Sequence, residues 1–225
     1  MMPAKEDAVA LVSISGAASR AGKTSLAVSV LRSLPASSAV AVKFTTTEDV
    51  FERCPRGTAC VVCDIDVPFR IVEDRAVLDE PGTDTARLGQ AGASRVVWAI
   101  SRASAVRAAW SRVREMAGGL VVMEGSTIVD VAAPDLMLFV AHPFLKPERW
   151  KATSEPLIAR ADLVVVNRPA GETRQPASEV REALLRARGR DDLRVADVTR
   201  PMAEWAPELA ERIGALALPA AAGRA

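Results

Sequence analysis

The sequence predicts an α/β fold, a mainly parallel, doubly wound sheet with a small cysteine-containing β insertion, and three observations predict it. Short apolar, β-branched runs alternate with helical patterns along the chain, as parallel β-α-β units require. The run Gly16-Ala17-Ala18-Ser19-Arg20-Ala21-Gly22-Lys23-Thr24-Ser25 joins the first apolar run to the first helical pattern. The length of 225 residues is enough for one such domain with a full core, read here as residues 1–218 with an insertion at 45–81 and a flexible tail at 219–225.

Ala8–Ser15 reads as the first strand, and Ser25–Leu34 continues the first helix. Between them, the stretch from Ala17 fits the phosphate-binding loop G-x-x-x-x-G-K-[ST], with alanine in the first glycine position. A strand before the loop and a helix after it are the context in which that motif carries meaning. Its physics is a nest of backbone N–H groups plus a helix N-terminus, both aimed at an anion. Ala17, Ala18, Ser19, Arg20 and Ala21 would form the cradle, and Gly22 would let the backbone close around the β-phosphate. Lys23 would reach the β- and γ-oxygens, Thr24 would hold Mg²⁺, and Ser25 would open the helix. The expectation is a P-loop NTPase fold that binds a nucleoside triphosphate.

The remaining elements follow in order. Val40–Phe44 reads as the second strand, and Ala93–Ile100, Leu120–Glu124, Leu136–Ala141 and Leu163–Asn167 supply four more of buried character. Ser101–Met116 reads as a helix with Ser101 as N-cap and Gly118-Gly119 closing it. Ser178–Arg188 and Glu204–Ala215 are amphipathic helices, with Leu193–Val198 a final edge strand. The stretch from Thr45 to Pro81 is too long for an ordinary loop. Within it Phe69–Val72 and Ala76–Leu78 around Glu73-Asp74-Arg75 read as a β-hairpin.

Composition excludes several classes. Lys+Arg number 29 against 28 Asp+Glu, and there is no basic run or aromatic platform, so nucleic acid is not an expected partner. No run of eighteen apolar residues occurs, so no membrane span is expected. The polar, acid-bearing N-terminus and three cysteines point to the reducing cytoplasm.

The carboxylate that completes a magnesium–nucleotide site ends a buried strand in this fold class, and Leu120-Val121-Val122-Met123-Glu124-Gly125 has that form. Glu124 would hold or orient a magnesium-bound water or position the attacking water, with Asp64 and Asp66 as second choices. Asp162-Leu163-Val164-Val165-Val166-Asn167-Arg168-Pro169 ends in an amide that can donate to and accept from a base edge. The carboxylate that would pair with guanine three residues later is replaced by Ala170, so Asn167 is a base-contact candidate for either GTP or ATP, against the alternative of a plain strand-terminal turn.

All three cysteines fall within Cys54-Pro55-Arg56-Gly57-Thr58-Ala59-Cys60-Val61-Val62-Cys63. The C-x₅-C-x₂-C spacing, bent by Pro and Gly, could place three thiolates around Zn²⁺ or an iron–sulfur cluster, with a fourth ligand from elsewhere. Buried thiols or a Cys60–Cys63 redox pair are the alternatives. His142, the only histidine, precedes Pro143 and reads as a turn residue. Lys146, Arg149 and Lys151 could touch phosphate or form a solvated helix face, and the four tryptophans read as packing residues.

The segment Asp79-Glu80-Pro81-Gly82-Thr83-Asp84-Thr85-Ala86-Arg87-Leu88-Gly89-Gln90-Ala91-Gly92-Ala93 resembles the D-x-P-G-K-D-[ST]…A-G-A stretch of the MobB family, the molybdopterin-guanine dinucleotide biosynthesis adaptors. The phosphate loop, Lys43 after the second strand and the Glu124-Gly125 strand end follow in family order, so the resemblance covers about residues 8–140. It implies a P-loop protein, usually dimeric, that binds GTP, hydrolyses it slowly and assists attachment of the nucleotide to molybdopterin by a nucleotidyltransferase. It also implies that Lys43, Asp84 and Thr85 face the nucleotide or a partner. The family's Lys-His-x-His-His run is here Lys43-Phe44-Thr45-Thr46-Thr47, its P-G-K-D lysine is Thr83, and the cysteine insertion is foreign to it.

Taken together, the sequence leads to a MobB-like accessory protein with slow Mg²⁺-dependent GTP or ATP hydrolysis, catalysed through Lys23, Thr24 and Glu124. One alternative is a nucleotide-dependent metallochaperone that loads a metalloenzyme client through Cys54, Cys60 and Cys63. Another is an ATP-dependent small-molecule ligase or kinase.

Overall fold

The structure, a computed structural model, describes residues 9–46 and 66–218. In chain order the elements are β1 (Ala10–Gly16), α1 (Lys23–Leu31), β2 (Ala39–Thr46), β3 (Phe69–Val72), α2 (Arg75–Leu78), α3 (Asp84–Gln90) and β4 (Arg95–Ser101). Then come α4 (Val106–Met116), β5 (Leu120–Glu124), β6 (Leu136–Ala141), α5 (Ser154–Arg160), β7 (Leu163–Asn167), α6 (Ser178–Arg188), β8 (Arg194–Ala196) and α7 (Pro207–Ala217). Short 3₁₀ turns join several of them.

The strands form one sheet of eight in the order β3-β4-β2-β5-β1-β6-β7-β8, parallel throughout except for antiparallel β3 on β4. The expected α/β class and doubly wound, mainly parallel sheet are therefore present. Period-two alternation sends side chains to two cores. Val12, Ile14, Val122, Leu138 and Val140 meet α1, α3 and α7 on one face. Leu11, Val121, Met123, Phe139 and Val166 meet α4, α5 and α6 on the other. Burying a side chain such as Ile14 or Phe139, each fully enclosed, stabilises the fold by about 1.5–3 kcal/mol.

β5, β6, β7 and α6 occupy the spans expected from sequence. Two local expectations are corrected. The 69–78 segment is no hairpin: Phe69–Val72 pairs with β4, Phe69 opposite Ser101 and Val72 opposite Trp98, while Arg75–Leu78 is helical. Asp74 causes this, because its carboxylate accepts from the Ala76 N–H at 2.9 Å and caps a helical turn whose Leu78 is buried. Nor is Ser101 an N-cap: it ends β4, is fully buried, and its hydroxyl donates to the Arg102 carbonyl at 2.8 Å. α4 begins five residues later, at Val106. The sequence reading also missed α5, whose seven residues are too few for a clear helical period.

Candidate functional site

β1 lies between β5 and β6, with Ile14 in register with Glu124 and Gly16 with Val140. The loop that leaves β1 therefore emerges between the carboxyl ends of two other strands, where ligands of open α/β sheets bind. Its geometry explains its composition. A Cβ on Gly16 would sit 2.8 Å from Lys23 Cγ and 3.1 Å from the Val140 carbonyl oxygen. Gly22 has φ +110°, a conformation that disfavours any side chain. Ala17 and Ala21 are fully buried and hold the loop down, and the Ala17 N–H donates to the Val140 carbonyl at 3.1 Å.

Ser19, Arg20, Gly22, Lys23, Thr24 and Ser25 face a cavity of about 640 Å³. Lys23 Nζ donates back to the Ala18 carbonyl at 3.0 Å. Thr24 Oγ1 donates to Glu124 Oε2 at 2.7 Å, a buried bond across a hundred residues of sequence. Glu124 is 6% exposed, and the sharp chain exit after it needs Gly125, whose Cβ would lie 2.9 Å from Phe44 Cβ. Asp66, the second choice for that role, is exposed and sits 3.7 Å from Arg70. Asp64 lies outside the described residues.

The opposite wall comes from β2 and α3. Lys43 is in register with Glu124 on the neighbouring strand and forms an ion pair with Asp84, the first residue of α3. Thr83 caps that helix by accepting from the Ala86 N–H at 3.3 Å, and its hydroxyl lies 3.1 Å from that of Thr85. Arg87 donates to Ser25 Oγ at 2.9 Å, tying α3 to α1. Lys43, Asp84 and Thr85 thus share one cavity with Lys23, Thr24 and Glu124.

Charge in this cavity is finely opposed. Burial lowers the pKa of Lys23; Glu124 and Asp84 act to raise it, and the Lys151 and Lys43 charges lower it further. Burial acts to raise Asp84, but the charge and hydrogen bond of Lys43, with help from Thr24 and Arg87, hold its carboxyl below the ordinary range. A buried ammonium beside two other cations is stabilised by an incoming anion.

Asn167 ends β7 and packs against the loop, its Nδ2 only 2.7 Å from where a Gly22 Cβ would be. Its Oδ1 is buried and has no hydrogen-bond partner among the described residues. Cys54, Cys60 and Cys63 lie outside the described residues, and among the described residues no three His, Cys, Asp or Glu side chains gather to hold a metal. His142 is a turn residue, its Nδ1 accepting from the Phe144 N–H at 3.1 Å.

Sequence reasoning missed the polar rim. Thr46 and Thr127 hydroxyls are 2.6 Å apart, and Trp98, read as packing, donates from Nε1 to Thr45 Oγ1 at 2.9 Å. These residues line the cavity with Phe44 and Ser126. No local signal marks them, because they converge from β2, β4 and the turn after β5. Among the described residues no helix is long and apolar enough to cross a membrane.

No model of a known protein family matches the chain, and no curated protein matches it. Among solved structures it is similar to a ParA family ATPase from Chlorobium tepidum TLS, at 12% identity and TM-score 0.39, over 93% of this chain and 99% of that one. It is similar also to the MinC:MinD cell division protein complex of Aquifex aeolicus, at 13% identity and TM-score 0.39, over 92% of this chain and 94% of that one.

Proposed function

We propose that this chain binds a nucleoside triphosphate in the cavity above β1 and hydrolyses it slowly. The observation that carries this reading is the Thr24–Glu124 hydrogen bond beside a buried Lys23 inside a glycine-closed loop. A hydroxyl and a carboxylate oxygen are hard ligands, so Thr24 and Glu124 fit Mg²⁺, which would supply charge compensation for the β- and γ-oxygens. Lys23 would bind those same oxygens, and the backbone N–H groups of the loop would orient the phosphates. Glu124 would hold the attacking water in line, and Asp84, kept ionised by Lys43, would accept a hydrogen bond from it or from a partner. Positioning and electrostatics are the whole of the catalysis in such a site, and they support slow turnover.

The finer reading is a MobB-like adaptor in molybdenum-cofactor maturation, working as a homodimer in the cytoplasm with a nucleotidyltransferase. Its support is the ordered resemblance around Lys43, Asp84-Thr85 and Glu124, residues that meet in one cavity. Calorimetric titration of the full chain with ATP and GTP, with and without Mg²⁺, tests the nucleotide reading. Binding of either one that Lys23→Ala weakens by about 10–100-fold is the expected result; no binding of either sinks it. Addition of the chain to a molybdopterin nucleotidyltransferase assay tests the adaptor reading, with faster dinucleotide formation expected.

A second reading, metalloenzyme maturation through Cys54, Cys60 and Cys63, is favoured by where their segment departs. Thr46, the last described residue before it, lines the cavity and touches Thr127. Stoichiometric zinc or iron in protein purified without oxygen, absent from the triple cysteine variant, is the outcome that would promote it.

A further inference from the structure

The phosphate loop is bracketed by charge of both signs. Glu124 reaches it from β5 on one side of β1, and the connection from β6 to α5 passes it on the other side. That connection carries three cations, Lys146, Arg149 and Lys151. Lys146 pairs with Glu179 at 3.9 Å, away from the loop. Lys151 alone of the three lines the cavity, and it forms no ion pair with a carboxylate among the described residues.

Its placement is built rather than incidental. The Lys151 N–H donates to the Ala17 carbonyl at 2.8 Å, and Ser154 Oγ approaches the same carbonyl at 3.4 Å. Ser154 is buried, and its own N–H donates to the Lys151 carbonyl at 2.9 Å. The first turn of α5 is thereby latched to the first residue of the phosphate loop.

The loop itself says which phosphate lies nearest. The lysine of such a loop reaches the β- and γ-oxygens, whereas the helix N-terminus lies toward the inner phosphates. Lys23 Nζ rests on the Ala18 carbonyl, so the start of the loop is the terminal-phosphate end. Ala17, where Lys151 is tethered, is the neighbouring residue.

We propose that Lys151 contacts the terminal phosphate of a bound nucleoside triphosphate and is the residue through which this chain distinguishes triphosphate from diphosphate. The proposal rests on the nucleotide-binding reading above. Lys151 supplies in cis a second ammonium for γ-oxygens that Lys23 alone cannot surround. Hydrolysis and loss of the terminal phosphate would remove that partner from Lys151.

The test is calorimetric binding of the β,γ-imido analogues of ATP and GTP, and of ADP and GDP, each with Mg²⁺, to wild type, Lys151→Ala and Lys151→Arg. Lys151→Ala should weaken the triphosphate analogue by about tenfold or more, the size of one charge-assisted hydrogen bond, and the diphosphate by less than about twofold. Lys151→Arg should recover part of the loss. Equal weakening of triphosphate and diphosphate, or no change in either, overturns the assignment while leaving nucleotide binding intact. Wild type that binds none of the four removes the nucleotide reading and this inference together.

Discussion

Thr24 Oγ1 donates to Glu124 Oε2 at 2.7 Å, joining the first turn of α1 to the end of β5. The bond satisfies a carboxylate that is 6% exposed, and it holds together the two oxygens proposed above as magnesium ligands. Thr24→Val keeps the shape and removes the hydroxyl. It leaves Glu124 buried with one partner fewer, so urea unfolding should show a loss of about 1–3 kcal/mol. Calorimetry should show that added Mg²⁺ no longer strengthens nucleotide binding. A variant as stable as wild type and still Mg²⁺-responsive would remove the pairing from the site.

Gly22 combines φ +110° with an approach of 2.7 Å between its missing Cβ and Asn167 Nδ2. Gly22→Ala should abolish nucleotide binding and cost about 1–3 kcal/mol through backbone strain. Pairing it with Asn167→Ala should relieve the contact and leave the strain. The double variant should then unfold at a temperature between those of Gly22→Ala and wild type.

Lys23 and Asp84 both make stability rise with pH, in different windows. Asp84 has a folded pKa below its unfolded one, so its stabilisation is full above the unfolded value and is lost as pH falls through the folded one. Asp84→Asn and Lys43→Met should each flatten the acid limb of the pH–stability curve. Lys23 has a lowered pKa, so the unfolded chain binds the extra proton and stability rises with pH between the folded value and the ordinary lysine value. Thermal unfolding of Lys23→Met without ligand should lack that alkaline rise and begin at a higher temperature near neutrality. Its nucleotide affinity should fall about 10–100-fold.

Arg188 tests the scaffold away from the cavity. Its side chain is 1% exposed and pairs with Asp192 at 2.8 Å, while its guanidinium donates to the carbonyls of Ile158, Ala161 and Asp162. Those carbonyls end α5 and enter β7. Arg188→Ala should cost about 1–3 kcal/mol in urea unfolding by leaving those carbonyls without a donor, and Arg188→Lys should not restore it fully, because an ammonium lacks the planar fork.

Much of the candidate site was legible in sequence because the loop after β1 is local. Ala17 to Ser25 form one contiguous segment, and the end of β5 announces itself as four apolar residues, a carboxylate and a glycine. Lys43 and Asp84-Thr85 were legible through a resemblance, and the fold brings them to the same cavity. Asn167 was legible as a strand end, but its close approach to Gly22 depends on how tightly β7 and the loop pack. The 69–78 hairpin failed because a three-residue apolar run, Ala76–Leu78, fits either period, and the Asp74 cap decides between them.

By itself the sequence determined the alternation of buried strands and helices, and with it a parallel sheet covered on both faces. It determined also the loop that leaves the first strand. Periodicity and backbone chemistry are short-range, so they can be read residue by residue. Only the tertiary structure decided the strand order that puts β5 and β6 on either side of β1. That order brings Glu124 to Thr24, Asp84 to Lys43 and Lys151 to Ala17. Such meetings depend on which strand pairs with which, an outcome of the whole core that no local pattern contains.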